Sequence, residues 1–115
     1  HLARIRNIDI ALDTRIYNGH TTSIEMIQSG IPLVTLEGNH FASRGSSSLL
    51  HALDIKELIT KNINDYQDIV SNLINDDNAL NSLKSKIHDQ LTKSKLMDAN
   101  FFVRSFEDTI LSIFK

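Results

Sequence analysis

"GHTTSIEMIQSGIPLVTLEG", Gly19 to Gly38, decides how this chain folds. Its first half places helix-forming residues behind two threonines; its second half contains "IPLVTL" (31–36), a short apolar run rich in strand formers. Gly30 and Pro32 stand between the two. A glycine just past a helix and a proline soon after are the ordinary marks of a helix end, so the stretch reads helix, turn, buried strand. Before it lies another apolar run, "IDIAL" (8–12); after it come a helical segment, "ASRGSSSLLHAL" (42–53), and a further run, "IKELIT" (55–60). Strands alternating with helices build a parallel α/β unit, and mostly apolar strands suit a sheet covered on both faces.

From Ile63 onward the chain contains no Gly or Pro, and Lys, Asp, Asn, Leu and Ile dominate. This half is expected to be helical. Asn64 is placed to cap a helix carrying Tyr66, Ile69, Val70 and Leu73, and the Asp76–Asp77 pair to cap one carrying Leu80, Leu83 and Ile87. Asp98 is placed to cap a last helix, in which Phe102, Phe106, Ile110 and Ile113 form an apolar stripe expected to face the core. The expected organisation is a single domain: a partial Rossmann-like α/β unit over 1–60, with the helices of 61–115 packed on it.

At 115 residues and 41% hydrophobic content the chain can bury a core. Twelve Lys and Arg against 14 Asp and Glu give a formal net charge of -2 with no basic block, which argues against nucleic-acid and membrane partners. The absence of cysteine excludes disulfides and thiolate metal sites and fits a cytoplasmic protein. No apolar run reaches the roughly 18 residues of a membrane span. The chain opens on His1 within "HLARIRNIDIALD", which reads as a piece of something longer.

Two readings compete for the start of the first long helix. A helix N-terminus offers unpaired N–H groups and about half a positive charge, a ready anion site. Here Gly19 would allow close backbone approach, Thr21 and Thr22 would add hydroxyls, and His20 an imidazole N–H. Glu25 would lie about 6 to 7.5 Å up the axis, within reach of a ribose on a bound diphosphate. The competing reading is a capping box in "TSIE", with Thr22 as N-cap and Glu25 reaching back to its amide. Local chemistry leaves both open.

The longer segment "LDTRIYNGHTTSIEMIQSGIPLVTLEGNHFASRGSSSLL" resembles the C-terminal catalytic lobe of the O-GlcNAc transferase and SPINDLY-like glycosyltransferases, through its "LDT", "NGHTT", "ASR" and "SLL" elements. "HLAR" at the start is similar to that family's His-x-x-Arg, and "LITKNINDYQDI" to the segment after its sheet. The resemblance implies the later part of a Rossmann-like lobe of the GT-B type followed by an all-helical tail, with TPR repeats and an N-terminal lobe upstream. It implies an inverting transfer of a sugar from a nucleotide-sugar donor to Ser or Thr of a protein acceptor engaged by that upstream region. The donor would be UDP-GlcNAc or another UDP-sugar, and neither metal nor cofactor would be needed.

Carried over by residue, the resemblance gives His20, Thr21 and Thr22 to the donor diphosphate, with His20 also stabilising the leaving group. Glu25 goes to the ribose, and His1 and Arg4 to the uridine pocket. Arg44 is open to a place facing the donor or to one anchoring its loop. Gly45 and the three following serines depart from the family's usual residues and weaken a helix start. His40, His51 and His88 show no metal-ligand spacing and read as surface or satisfied polar residues. The rival of a different class is a non-catalytic α/β interaction module whose Phe-rich last helix docks a partner.

Overall fold

A computed structural model describes residues 2–114. Three short parallel strands, β1 (Ala11–Leu12), β2 (Leu33–Leu36) and β3 (Ile59–Thr60), form a sheet in the order β1-β2-β3. Ala11 pairs with Leu33 and Leu12 with Val34; Thr35 pairs with Ile59 and Leu36 with Thr60. A four-residue helix, α1 (Leu2–Ile5), precedes the sheet; α2 (Thr21–Gln28) joins β1 to β2, and α3 (Gly45–Ala52) joins β2 to β3. The tail is α4 (Ile63–Asn75), α5 (Asp77–Lys93) and α6 (Ala99–Ile113). Among the described residues no helix is long and apolar enough to cross a membrane.

The central strand explains the core. Leu33 and Val34 of β2 are buried with Ile27 of α2, Leu49 and Leu50 of α3, Leu73 of α4, and Leu83 and Ile87 of α5. Burying a side chain of this size stabilises by about 1.5–3 kcal/mol. α2 stops where its sequence says it must. Gly30 adopts φ +78, its amide donates to the Ile27 carbonyl at 2.9 Å, and the Ile31 amide donates to Met26 at 3.0 Å, a Schellman closure that favours glycine at this position.

Several boundaries differ from the sequence reading. Only Ala11 and Leu12 of "IDIAL" enter the ladder, and Leu12 is exposed. "ASRGSSSLLHAL" divides into a 3-10 turn, Phe41–Ser43, and α3; "IKELIT" divides into a 3-10 turn, Lys56–Leu58, and β3. The cap of α4 is Asn62, not Asn64: Asn62 Oδ1 accepts from the Asp65 amide at 2.8 Å, and its Nδ2 donates to the Asp65 carboxylate at 2.9 Å. Asp76 and Asp98 cap α5 and α6 as expected.

The stripe on α6 corrects the largest expectation. Phe102, Phe106 and Ile113 are 57–68% exposed, Ile110 is 37% exposed, and no residue of α6 is buried. The helix leaves the body after the turn at Lys95–Met97, and the long axis reaches 53 Å. Helical periodicity announces a face to be covered; it does not say that the cover lies among these residues.

Candidate functional site

The carboxyl ends of β1 and β2 lead into the connections 13–20 and 37–44, the edge at which parallel α/β sheets bind ligands. The first connection is held from within. Asp13 Oδ1 accepts from the amides of Thr14 and Gly19, both at 3.0 Å, and Oδ2 accepts from Thr35 Oγ1 at 2.7 Å. Asn18 is fully buried; its Nδ2 donates to the Thr14 carbonyl at 3.1 Å and its amide to the Ala42 carbonyl at 2.7 Å. These bonds tie the two connections together. They also hold Ile16 at φ 71, a left-handed backbone that costs a β-branched residue on the order of 1–3 kcal/mol.

This framing moves the start of α2. The helix begins at Thr21 with His20 as N-cap, and the Ile24 amide donates to the His20 carbonyl at 3.1 Å. Thr22 is therefore the second helical residue rather than the cap, and the expected box between Thr22 and Glu25 is not the way the helix starts. Because the loop is fixed at Asn18 and Gly19, helical geometry is reached earlier than "TSIE" alone predicts. The first-turn amides of Thr21, Thr22 and Ser23 have no intrahelical acceptor, and the His20 side chain does not cap them. Both threonines are exposed beside these amides.

At Gly19 an added Cβ would lie 2.9 Å from Ser23 Oγ, so the side-chain space at this glycine is taken by the protein itself, while the residue borders a cleft between β1 and α2. Ser23 Oγ donates to the Gly19 carbonyl at 2.8 Å and bonds Ser46 Oγ at 2.9 Å, and both serines are buried. The starts of α2 and α3 thus lie side by side. The small residues that weaken α3 on propensity permit this contact. At Gly45 an added Cβ would fall 2.5 Å from His20 Cε1 and 2.7 Å from Nδ1; the imidazole rests on the first residue of α3. Tyr17 meets the same ring edge-on at 5.6 Å and 78°, and Phe41 stacks with it at 6.2 Å and 18°.

Two clefts flank the tip of α2. One, of about 670 Å³, is lined by His20, Asn39, Phe41, Arg44, Ser47 and His51. The other, of about 430 Å³, lies between β1 and α2 and is lined by residues including Leu12, Thr14, Thr22 and Met26. His20 and Thr22 therefore border different spaces, with exposed Thr21 at the tip. Glu25 is half-buried further along α2. Arg4 is exposed on α1, and among the described residues no hydrogen bond or ion pair ties its side chain to α2. His1 lies outside the described residues. Arg44 both borders the larger cleft and approaches Glu37 Oε1 at 3.9 Å. His40, His51 and His88 are exposed.

Tyr66 reaches from α4 to the same frame, its hydroxyl donating to the Asp13 carbonyl at 3.1 Å. Burial, and then the negative charge of Asp13, raise its pKa above the ordinary 10.0. The folded protein therefore favours the neutral phenol, and the stability Tyr66 contributes is whole below pH 10.0 and lost as pH rises through the raised value. Tyr66→Phe is expected to cost about 1 kcal/mol at neutral pH, a difference that shrinks above pH 10.0. Urea unfolding of both proteins across that range measures it.

Sequence reasoning singled out His20, Thr21 and Thr22 but missed what holds them: Asp13, Asn18, Ser23 and Ser46. Asp and Asn near a glycine are turn formers, and that signal was present in "LDTRIYNG".

Known proteins share this fold. The model of Glycosyl transferase family 41 matches residues 1–106. A UDP-N-acetylglucosamine--peptide N-acetylglucosaminyltransferase of Caenorhabditis elegans is 33% identical over all 115 residues, which span 10% of its length. A probable SPINDLY transferase of Arabidopsis thaliana is 30% identical over the same 115 residues, 13% of its length. The K341M mutant of the Thermobaculum terrenum O-GlcNAc transferase superposes with a TM-score of 0.88 at 38% identity, over 95% of this chain and 21% of that one. The chain spans about a tenth of the curated relatives it matches. With the family model covering nearly all of a chain whose fold superposes this closely, the protein belongs to Glycosyl transferase family 41.

Proposed function

We propose that this chain is the donor-binding part of a protein O-glycosyltransferase that transfers a sugar, GlcNAc before other hexoses, from a UDP-sugar to Ser or Thr of a protein acceptor. The observation that carries this reading is the first turn of α2: amides without intrahelical acceptors and two exposed threonines beside the His20 imidazole, at the carboxyl edge of a parallel sheet. Such a turn suits a diphosphate. Glu25 would accept from the ribose hydroxyls, and His1 and Arg4 would border the uridine. The acceptor would be engaged outside this chain.

Transfer with inversion breaks the anomeric C–O bond, and negative charge gathers on the departing diphosphate. Donors already aimed at that charge lower the barrier without reorganising. His20, Thr21, Thr22 and the α2 dipole are the donors available for this role.

A titration of the intact transferase with UDP, and with GDP in parallel, tests the reading. UDP is expected to perturb the amides of Gly19 to Glu25, with weaker effects from GDP. A Thr21→Ala, Thr22→Ala double variant should weaken UDP binding about thirtyfold, two hydrogen bonds at about 1 kcal/mol each. Unchanged affinity would sink the site assignment.

A further inference from the structure

We propose that Asp13 is the positioning residue of the diphosphate site, closing the loop that presents His20, Thr21 and Thr22. The inference rests on the function proposed above. Every polar atom of Asp13 is engaged inside the protein. Its amide donates to the Val34 carbonyl at 3.0 Å, its carbonyl accepts from Tyr66, and its carboxylate accepts from Thr14, Gly19 and Thr35.

One oxygen, Oδ1, takes both the first and the last amide of the loop 14–19. The chain is thus folded back on itself immediately before His20, and the orientation of the Gly19 peptide sets the entry into α2. The second oxygen fixes the assembly to β2 through Thr35, which is fully buried. The loop needs this restraint, because Ile16 at its tip holds a left-handed backbone. Without the carboxylate, restraint of the tip is left to the bonds of Asn18 and of the Thr14 hydroxyl, and the first turn of α2 loses its fixed aim. Asp13 would touch no part of the donor and would act through the geometry of the residues that do.

The test uses the intact transferase, with UDP as the probe for binding and an acceptor peptide for turnover. Asp13→Ala removes all three carboxylate bonds. Asp13→Asn keeps an Oδ1 acceptor for both amides and offers Thr35 Oγ1 an N–H in place of an acceptor, so it should rescue the geometry. Thr35→Val removes only the bond to Oδ2 and supplies a readout should the alanine variant fail to fold.

We expect Asp13→Ala to weaken UDP binding about tenfold, Asp13→Asn to stay within about threefold of the natural protein, and Thr35→Val to fall between them. The acceptor KM should not move in any of the three. The proposal is overturned if Asp13→Ala or, in its stead, Thr35→Val binds UDP as the natural protein does. It is also overturned if the asparagine variant is as weak as the alanine, or if the acceptor KM rises in step with the UDP dissociation constant. The Thr21→Ala, Thr22→Ala variant separates the two levels. If it weakens UDP while the Asp13 and Thr35 variants do not, only this inference fails; if none of them does, the diphosphate site itself fails.

Discussion

On the function proposed above, His20→Ala in the intact protein is expected to lower kcat by about a hundredfold or more, the loss found when one preorganised donor to a developing negative charge is removed. The ring is well placed to be such a donor. It sits at the N-cap of α2, half-buried, and three neighbours restrain it: the backbone of Gly45 beneath it, Tyr17 at its edge and Phe41 across its face. A side chain held in this way need not reorganise when charge arrives. The thermal midpoint should barely change, because the side chain of His20 makes no cap bond. Steady-state kinetics with UDP-sugar and acceptor peptide, beside a melting curve, check both halves of the expectation. A kcat within about threefold of the natural enzyme would reduce His20 to a packing residue.

The second large effect is on stability. Leu50→Ala should destabilise by about 2–5 kcal/mol, a fall of roughly 10 °C or more in Tm for a domain of this size. Leu50 is fully buried in α3 within the cluster that includes Ile27, Val34 and Ile87, and its carbonyl accepts from the Ile55 amide at 2.9 Å. Truncation there leaves a cavity lined by side chains that cannot close around it. Phe106→Ala removes a larger side chain, yet in this chain it should change stability by no more than about 0.5 kcal/mol, because Phe106 is 57% exposed. Denaturant unfolding of the two variants side by side makes the contrast. A comparable loss at both positions would mean that α6 is covered within this chain after all.

The sequence was legible where structure follows from neighbouring residues. Gly30 and Pro32 announced the end of α2, Asp76 and Asp98 announced two helix starts, and the β2 run announced a buried strand. It misled where a local signal competed with a distant one. "TSIE" satisfies every local rule for a cap at Thr22, yet Asp13 and Asn18, nine and four residues earlier in the chain, fix the loop so that α2 begins at Thr21. The stripe of α6 was equally regular, but periodicity carries no information about the partner. At the candidate site the same division holds. The donor-type residues stood in one short motif, whereas their supports came from four separated stretches: the loop after β1, β2, the start of α3 and, through Tyr66, α4.

The pairing of Ser23 with Ser46 has a mechanical meaning. Two buried hydroxyls 2.9 Å apart, Ser46 donating to Ser23 and Ser23 to the Gly19 carbonyl, weld the beginnings of α2 and α3 into one stiff corner. A push on the loop that carries Phe41 and Arg44 is therefore transmitted to His20 rather than absorbed between them. Any movement of these two connections must carry this corner as a unit.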